Sequence, residues 1–263
     1  MTALLLALVV AATPPPRDNL RFGLDYRWWG RNLQFTGAPS LAGVSAGPEP
    51  TGTSIDVQWF PMSYFVDDAR ADLGLTVRAD VAPEFRLRSG DATLLASVAR
   101  LRTGLMFRLP FEHVEPSVHL GFHAFETSAR PGPGKETVPN TSLTGPRLGL
   151  GLRVLEFWRM TFDVGVGGTL LVSTGELGSQ AYFPGAKGNA FDANLGLAFR
   201  TWPFLDVRLG VDVTVHSLVL GKGVSATDAY YGISLGIIFK GVPLPGNLPP
   251  GGTPAHPEAQ SGS

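Results

Sequence analysis

The chain contains no cysteine. That excludes a disulfide framework, a thiolate zinc site and a lipid-modified N-terminal cysteine, so stability has to come from packing and hydrogen bonds. Lysine is nearly as scarce: only Lys135, Lys187, Lys222 and Lys240 occur, and the basic complement is almost all arginine. With Lys+Arg at 21 and Asp+Glu at 22, neither sign dominates, which argues against a nucleic-acid partner or a polybasic grip on a membrane surface. No stretch reaches 18 uninterrupted apolar residues, so a membrane-spanning helix is not available. A membrane-embedded form of this chain is restricted to a closed barrel of strands.

What the sequence has in quantity is alternation. Apolar and polar residues exchange with period two through segments near 20–29, 53–60, 71–82, 95–109, 117–125, 144–155, 158–172, 189–200, 204–217 and 228–240. Most of these ten have the nine or more residues that a tilted strand needs to cross a bilayer. The links between them are about 23, 12, 18, 16 and 10 residues at one end and about 10, 7, 2 and 3 at the other. Together these features predict an all-β fold, an antiparallel up-and-down transmembrane barrel of about ten strands with long loops at one end. The apolar run Ala3–Ala12, followed at once by TPPPRD, predicts a signal peptide over 1–12. The barrel domain is then expected over 19–240, and a disordered Pro/Gly-rich tail over 241–263.

Alternation alone does not say which face points outward. One face is unbroken by charge, as in Leu73, Leu75, Val77, Ala79 and Val81, or Leu205, Val207, Leu209, Val211, Val213 and Val215. The other face consists of arginine, aspartate and glycine. Glycine weakens a strand and packs nothing on a water-exposed face, but in a narrow lumen it leaves room for long side chains from the opposite wall. The charged face is therefore expected to point inward as a network of Arg21, Asp25, Arg27, Asp72, Arg78, Asp80, Arg100, Arg102, Arg147, Arg153, Asp163, Asp206, Arg208, Asp212 and His216. Aromatic residues gather at strand ends as two interfacial girdles: Phe22, Trp59, Phe60, Phe107, Phe111, Phe157, Trp158, Phe199, Trp202, Phe204 and Phe239 at the short-turn end, and Tyr26, Trp28, Phe122, Phe125, Phe191, Tyr230 and Tyr231 at the other.

The ten-strand pattern and the closing YYGISLGIIF resemble a bacterial outer-membrane β-barrel protein, whose last strand carries a polar residue, a glycine and alternating hydrophobic residues ending in an aromatic. Tyr230, Gly232, Leu235, Ile237 and Phe239 match that assembly signal, although a tail follows here where family members commonly stop. The resemblance implies an outer-membrane location with long loops at the cell surface and both termini in the periplasm. Its implied partners are outer-membrane lipids, the barrel-assembly machinery, and other envelope proteins or lipoproteins. The Arg-rich, Lys-poor, Gly/Ala/Pro-rich usage is that of a high-GC bacterium. In such organisms, myxobacteria among them, small barrels of this appearance serve gliding-motility or polysaccharide-export assemblies.

Chemistry is hard to find. His119 and His123 share a strand face but stand roughly 13 Å apart, too far to ligate one metal. His216 and Asp212 share a face, with Ser217 on the opposite one, so a Ser-His-Asp relay would have to borrow its serine from another strand. No catalytic residue, cofactor site or metal site is expected, and the chain is not expected to be an enzyme. Arginines outnumber aspartates on the inner face, and in a barrel this narrow they would bridge to aspartates and fill the lumen. The expected role is a structural or anchoring component of a cell-envelope assembly with a largely plugged lumen. A small, weakly anion-preferring pore is the alternative, and an outer-membrane enzyme comes after both.

Overall fold

A computed structural model describes residues 18–37, 44–66, 69–89, 92–130, 140–180, 182–221 and 223–241. The expected signal peptide, the tail beyond Gly241, and Lys135 and Lys222 lie outside the described residues. Ten strands form: β1 (Leu20–Thr36), β2 (Val44–Trp59), β3 (Leu73–Ser89), β4 (Ala92–Arg108), β5 (Val114–Arg130), β6 (Thr141–Phe157), β7 (Met160–Leu171), β8 (Lys187–Trp202), β9 (Leu205–Gly221) and β10 (Val224–Lys240). Each pairs antiparallel with its sequence neighbours, and β10 returns to β1 in register from Arg21 opposite Lys240 to Thr36 opposite Ser225, closing the barrel. Closure leaves no sheet edge unpaired at the seam between first and last strand, the condition for a sheet to stand in lipid.

Apart from β7, most strands are longer than the alternation predicts, and most of the excess lies at the end where long loops were expected. β1 runs on to Thr36, β2 begins at Val44, and β9 and β10 are separated only by residues 222–223. The sorting of links by length is therefore corrected: only two residues separate β3 from β4 and β9 from β10 at the expected long-loop end, and the link over 60–72 at the opposite end is among the longest. At 3.3 Å per residue and a tilt near 40°, the 17-residue strands rise about 43 Å along the axis, against about 30 Å of hydrocarbon. The barrel is taller than the membrane it would cross.

Polarity reverses along that height. In the lower part the outer face is apolar, with Leu75, Leu148, Leu150, Leu195, Leu209, Ile233 and Leu235 all exposed. In the upper part the outer face carries Asn32, Gln34, Glu84, Arg86, Arg88, Glu126 and Thr227, with Leu95, Leu170 and Val219 exposed among them. Leu33, Phe85, Leu87, Leu94, Leu218 and Leu220 point inward there and form a buried apolar core. Period two continues, but the side that carries the apolar residue changes. In β3 the switch coincides with a bulge between Ala82 and Phe85. Such a strand reads as ending where its face inverts, which is why the upper halves look like loops in the sequence.

The girdle assignments need correction at three positions. Phe60, Phe125 and Tyr230 are buried inside the barrel, where they pack in its interior instead of anchoring an interface. Trp59, Trp158, Phe199, Trp202, Phe204 and Phe239 at the short-turn end are exposed.

Candidate functional site

The residues that could carry a function converge on the barrel interior, stacked in layers from the short-turn end upward. At the base, the Arg108 guanidinium lies 3.7 Å from the centre of the Phe60 ring and donates from Nε to Asp72 at 3.1 Å. Asp72 belongs to a 3-10 turn (Ala69–Asp72) in the β2–β3 link and not to β3, as its place in the alternation had suggested. Above it, Glu115 accepts from Arg153 at 2.8 Å and from Arg21 at 3.3 Å, and Arg153 also reaches Asp163 at 2.5 Å. Arg208 then bridges β9 to β1 and β2 by pairing with Asp25 and with Asp56, the latter at 3.4 Å. At the rim, Lys240 pairs with Asp206 at 2.6 Å.

The middle layer crosses the lumen. Asp80 on β3 pairs with Arg27 on β1, Arg78 on its own strand (3.3 Å) and Arg100 on β4 (2.7 Å). Asp212, on the far wall in β9, pairs with the same Arg27 and with Arg100 at 2.9 Å. Arg27, Asp80 and Arg100 have side chains with no exposure to solvent. Unpaired, such charges would cost several kcal/mol each to bury, so the layer persists only as a fully cross-linked unit. Trp29 roofs it, its ring lying 4.6 Å from the Arg27 guanidinium and 5.0 Å from that of Arg100. To one side, Arg147 binds Asp192 through two parallel hydrogen bonds of 2.9 and 2.7 Å, and Arg102 approaches the same carboxylate at 3.6 Å. Arg147 lies flat along the wall at Gly149 and Gly167, where any larger residue would collide with its guanidinium.

The top of the interior is apolar and aromatic. The Phe125 ring centre is 4.4 Å from that of Tyr230 and 4.7 Å from that of His216, and His123 lies 6.0 Å from His216. Leu177, from the 3-10 turn Gly175–Gly178 in the β7–β8 link, is buried in the same core as Trp29 and Leu33. Phe183 and Ala186 of that link pack against the core, so the link folds inward over the barrel mouth.

The fifteen residues expected to form the inner charge network are all buried or half-buried. Asp212 pairs with Arg27 and Arg100, while His216 lies in the aromatic cluster beside Phe125 and Tyr230. Among the described residues, no three His, Asp or Glu side chains are grouped to hold a metal ion. The alternation missed Arg31, Asp56, Arg108, Glu115, Asp192 and Asp228. Arg31 and Asp228 would have been found by continuing the inner register of β1 and β10 past the point of polarity reversal. Of the closing-strand residues, Leu235 and Phe239 face outward, Ile237 is half-buried, and Tyr230 and Gly232 face inward.

No protein-family model and no curated protein matches this chain. Similar folds do occur among solved structures. The outer membrane protease OmpT from Escherichia coli superposes with a TM-score of 0.54 at 8% identity, over 89% of this chain and all of OmpT. The outer membrane protein AlkL (TM-score 0.45, 13% identity, 91% and 97% covered) and the translocator domain of the autotransporter NalP from Neisseria meningitidis (0.40, 11%, 89% and 92%) are more distant. These likenesses are to fold, and the fold is that of a bacterial outer-membrane β-barrel.

Proposed function

We propose that this protein is an integral outer-membrane barrel with a structural role, a membrane anchor for a cell-envelope assembly whose lumen is closed to solutes. The layer Arg27–Asp80–Arg100–Asp212 carries this reading. It ties β1, β3 and β4 to β9 across the lumen with no exposed charge in Arg27, Asp80 or Arg100. The apolar core above it and the Arg108–Phe60 contact below it support closure at both ends. The exposed apolar belt supports residence in a bilayer, and the polar exterior above the belt supports a barrel top that projects from the membrane toward partners. On this reading the upper end lies at the cell surface and both termini lie in the periplasm. Motility or polysaccharide-export machinery is the kind of assembly that such an anchor would serve. OmpT is a protease, but at 8% identity the shared fold carries over no chemistry.

Planar-bilayer recording with the purified protein tests the closed lumen. Wild type should give no steady conductance, and large sustained openings would favour the anion-preferring pore instead. Isolation of native complexes from outer membranes tests the anchoring role. A stable envelope protein should copurify, and recovery of the barrel alone under mild extraction would count against it.

A further inference from the structure

Below the cross-lumen layer the interior holds a cavity of about 170 Å³. A buried water needs about 10–15 Å³ on this scale, so there is space for roughly ten waters or for a small ion with part of its hydration. Four glycines, Gly104, Gly121, Gly151 and Gly165, stand in its wall; a Cβ at Gly104 or Gly121 would meet the backbone of the neighbouring strand, and one at Gly151 or Gly165 would meet Ser117 Oγ or Asn194 Oδ1.

Charge is unevenly distributed around it. Arg78, Arg102 and Arg147 line its upper end, whereas the carboxylates they pair with, Asp80 and Asp192, are not part of its surface. Those carboxylates are shared. Asp80 serves Arg27, Arg78 and Arg100, Asp212 serves Arg27 and Arg100, and Asp192 serves Arg102 and Arg147. In this layer five guanidinium groups thus meet three carboxylates, and arginine does not relieve the excess by losing its proton. Asp56 stands opposite Arg78 and also lines the cavity, but Arg208 draws on it as well as on Asp25, and the remaining carboxylates, Glu115 and Asp163, line the far end. Arg102 is the least satisfied of the five. Among the described residues its Nε has no acceptor, and the carboxylate oxygen it pairs with is 3.6 Å away. Neutral polar groups stand on the same wall, Asn194 and a Ser117–His119 pair with Oγ and Nε2 3.1 Å apart.

We propose that the upper end of this cavity binds a small oxyanion of the phosphate or sulfate class, held by Arg102, Arg147 and Arg78. A multivalent oxyanion matches the surplus of charge and offers several acceptors to guanidinium donors, which pair with such groups in forked geometry. Chloride offers neither the charge nor the forked acceptor set.

The test uses the full-length barrel refolded in detergent. Its urea midpoint, read by the shift between folded and unfolded gel mobility, is followed against phosphate or sulfate at constant ionic strength maintained with sodium chloride. The midpoint should rise and saturate with both oxyanions, and equilibrium dialysis against radiolabelled phosphate should find one phosphate per chain. Arg102→Gln, which keeps a donor toward Thr214, should weaken binding at least tenfold. Asn194→Asp, which builds a carboxylate into the cavity wall, should raise the midpoint without phosphate and abolish the response to it. No bound phosphate in the wild type, or the same shift from chloride alone, would overturn the proposal. So would a phosphate response left intact in Asn194→Asp, which decides the matter even if Arg102→Gln fails to fold.

Discussion

Arg31 and Asp228, 197 residues apart in sequence, meet inside the barrel across the seam between the first and last strands. Nε donates to Oδ1 at 2.9 Å and Nη2 to Oδ2 at 2.8 Å, and both side chains are 1% exposed. Tyr230 adds a hydrogen bond to Asp228 at 3.2 Å, and its ring lies 5.1 Å from the Arg31 guanidinium. The pair thus lies at the seam that closes the barrel, where a defect would leave β1 and β10 as open edges. Removing one partner strands a buried charge, at a cost of about 3–5 kcal/mol. Asp228→Ala should accordingly lower the urea midpoint of the folded barrel sharply. The double variant Arg31→Met with Asp228→Leu should recover most of that loss, because an apolar pair of similar volume avoids the desolvation cost. A double variant no better than the single one would mean that the pair contributes through geometry that apolar packing cannot replace.

Reversal of exterior polarity leads to a test of where the membrane stops. On β10, Leu235 lies in the apolar belt and Thr227 lies above it, both facing outward. Arginine at Leu235 should destabilise the barrel by roughly 2–4 kcal/mol in a bilayer, and arginine at Thr227 by at most about 1. Refolding into lipid vesicles, with the folded fraction read by gel mobility, measures both. Equal penalties would place Thr227 in hydrocarbon and remove the case for a projecting barrel top.

Orientation is checked by single cysteines, which this cysteine-free chain makes straightforward. Lys187→Cys, at the exposed start of β8, and Glu126→Cys, on the polar exterior of β5, should react with a membrane-impermeant maleimide in intact cells. Arg159→Cys, in the turn between β6 and β7, should react only after permeabilisation. The reverse pattern would invert the barrel.

The existence of ten strands was legible in the sequence because the lower half of each obeys one rule, apolar outward and charge or glycine inward. Their true length was not, because period-two reasoning assumes a constant environment along a strand. Here Leu209 faces outward and Leu218 inward on the same strand. Which side chains enter the interior was legible for the same reason that the strands were. Which of them touch was not: the meeting of Arg27 with Asp212, or of Arg100 with Asp80, depends on barrel closure and stagger, and neither leaves a mark on local alternation. Phe125 and Tyr230 were misplaced because an aromatic residue near a strand end serves equally well as an interfacial anchor and as a plug. Only the tilt of the strand decides between them.

The wall itself has a weak place. Between β2 and β3 the ladder runs from Trp59 opposite Leu75 up to Thr53 opposite Val81, then lapses, and resumes only at Ser45 opposite Arg88. The lapse spans residues 46–52 on one strand and 82–87 on the other. Three prolines, Pro48, Pro50 and Pro83, fall within it, and each lacks the N–H that a ladder needs. Register on the far side of β2 is also irregular, with shifts against β1 between Arg27 and Trp28 and between Trp29 and Arg31. Glu84 and Arg86 are exposed at this level, so the unpaired backbone groups can be hydrated, as they could not be in hydrocarbon. Local opening should therefore need less free energy here than in the regular ladder just below. In hydrogen–deuterium exchange, a peptide covering 84–88 should exchange at least tenfold faster than one covering 75–80. Equal protection in the two peptides would show that the gap is closed in the membrane-embedded protein, and that the β2–β3 wall is as continuous as the β9–β10 wall on the other side of β1.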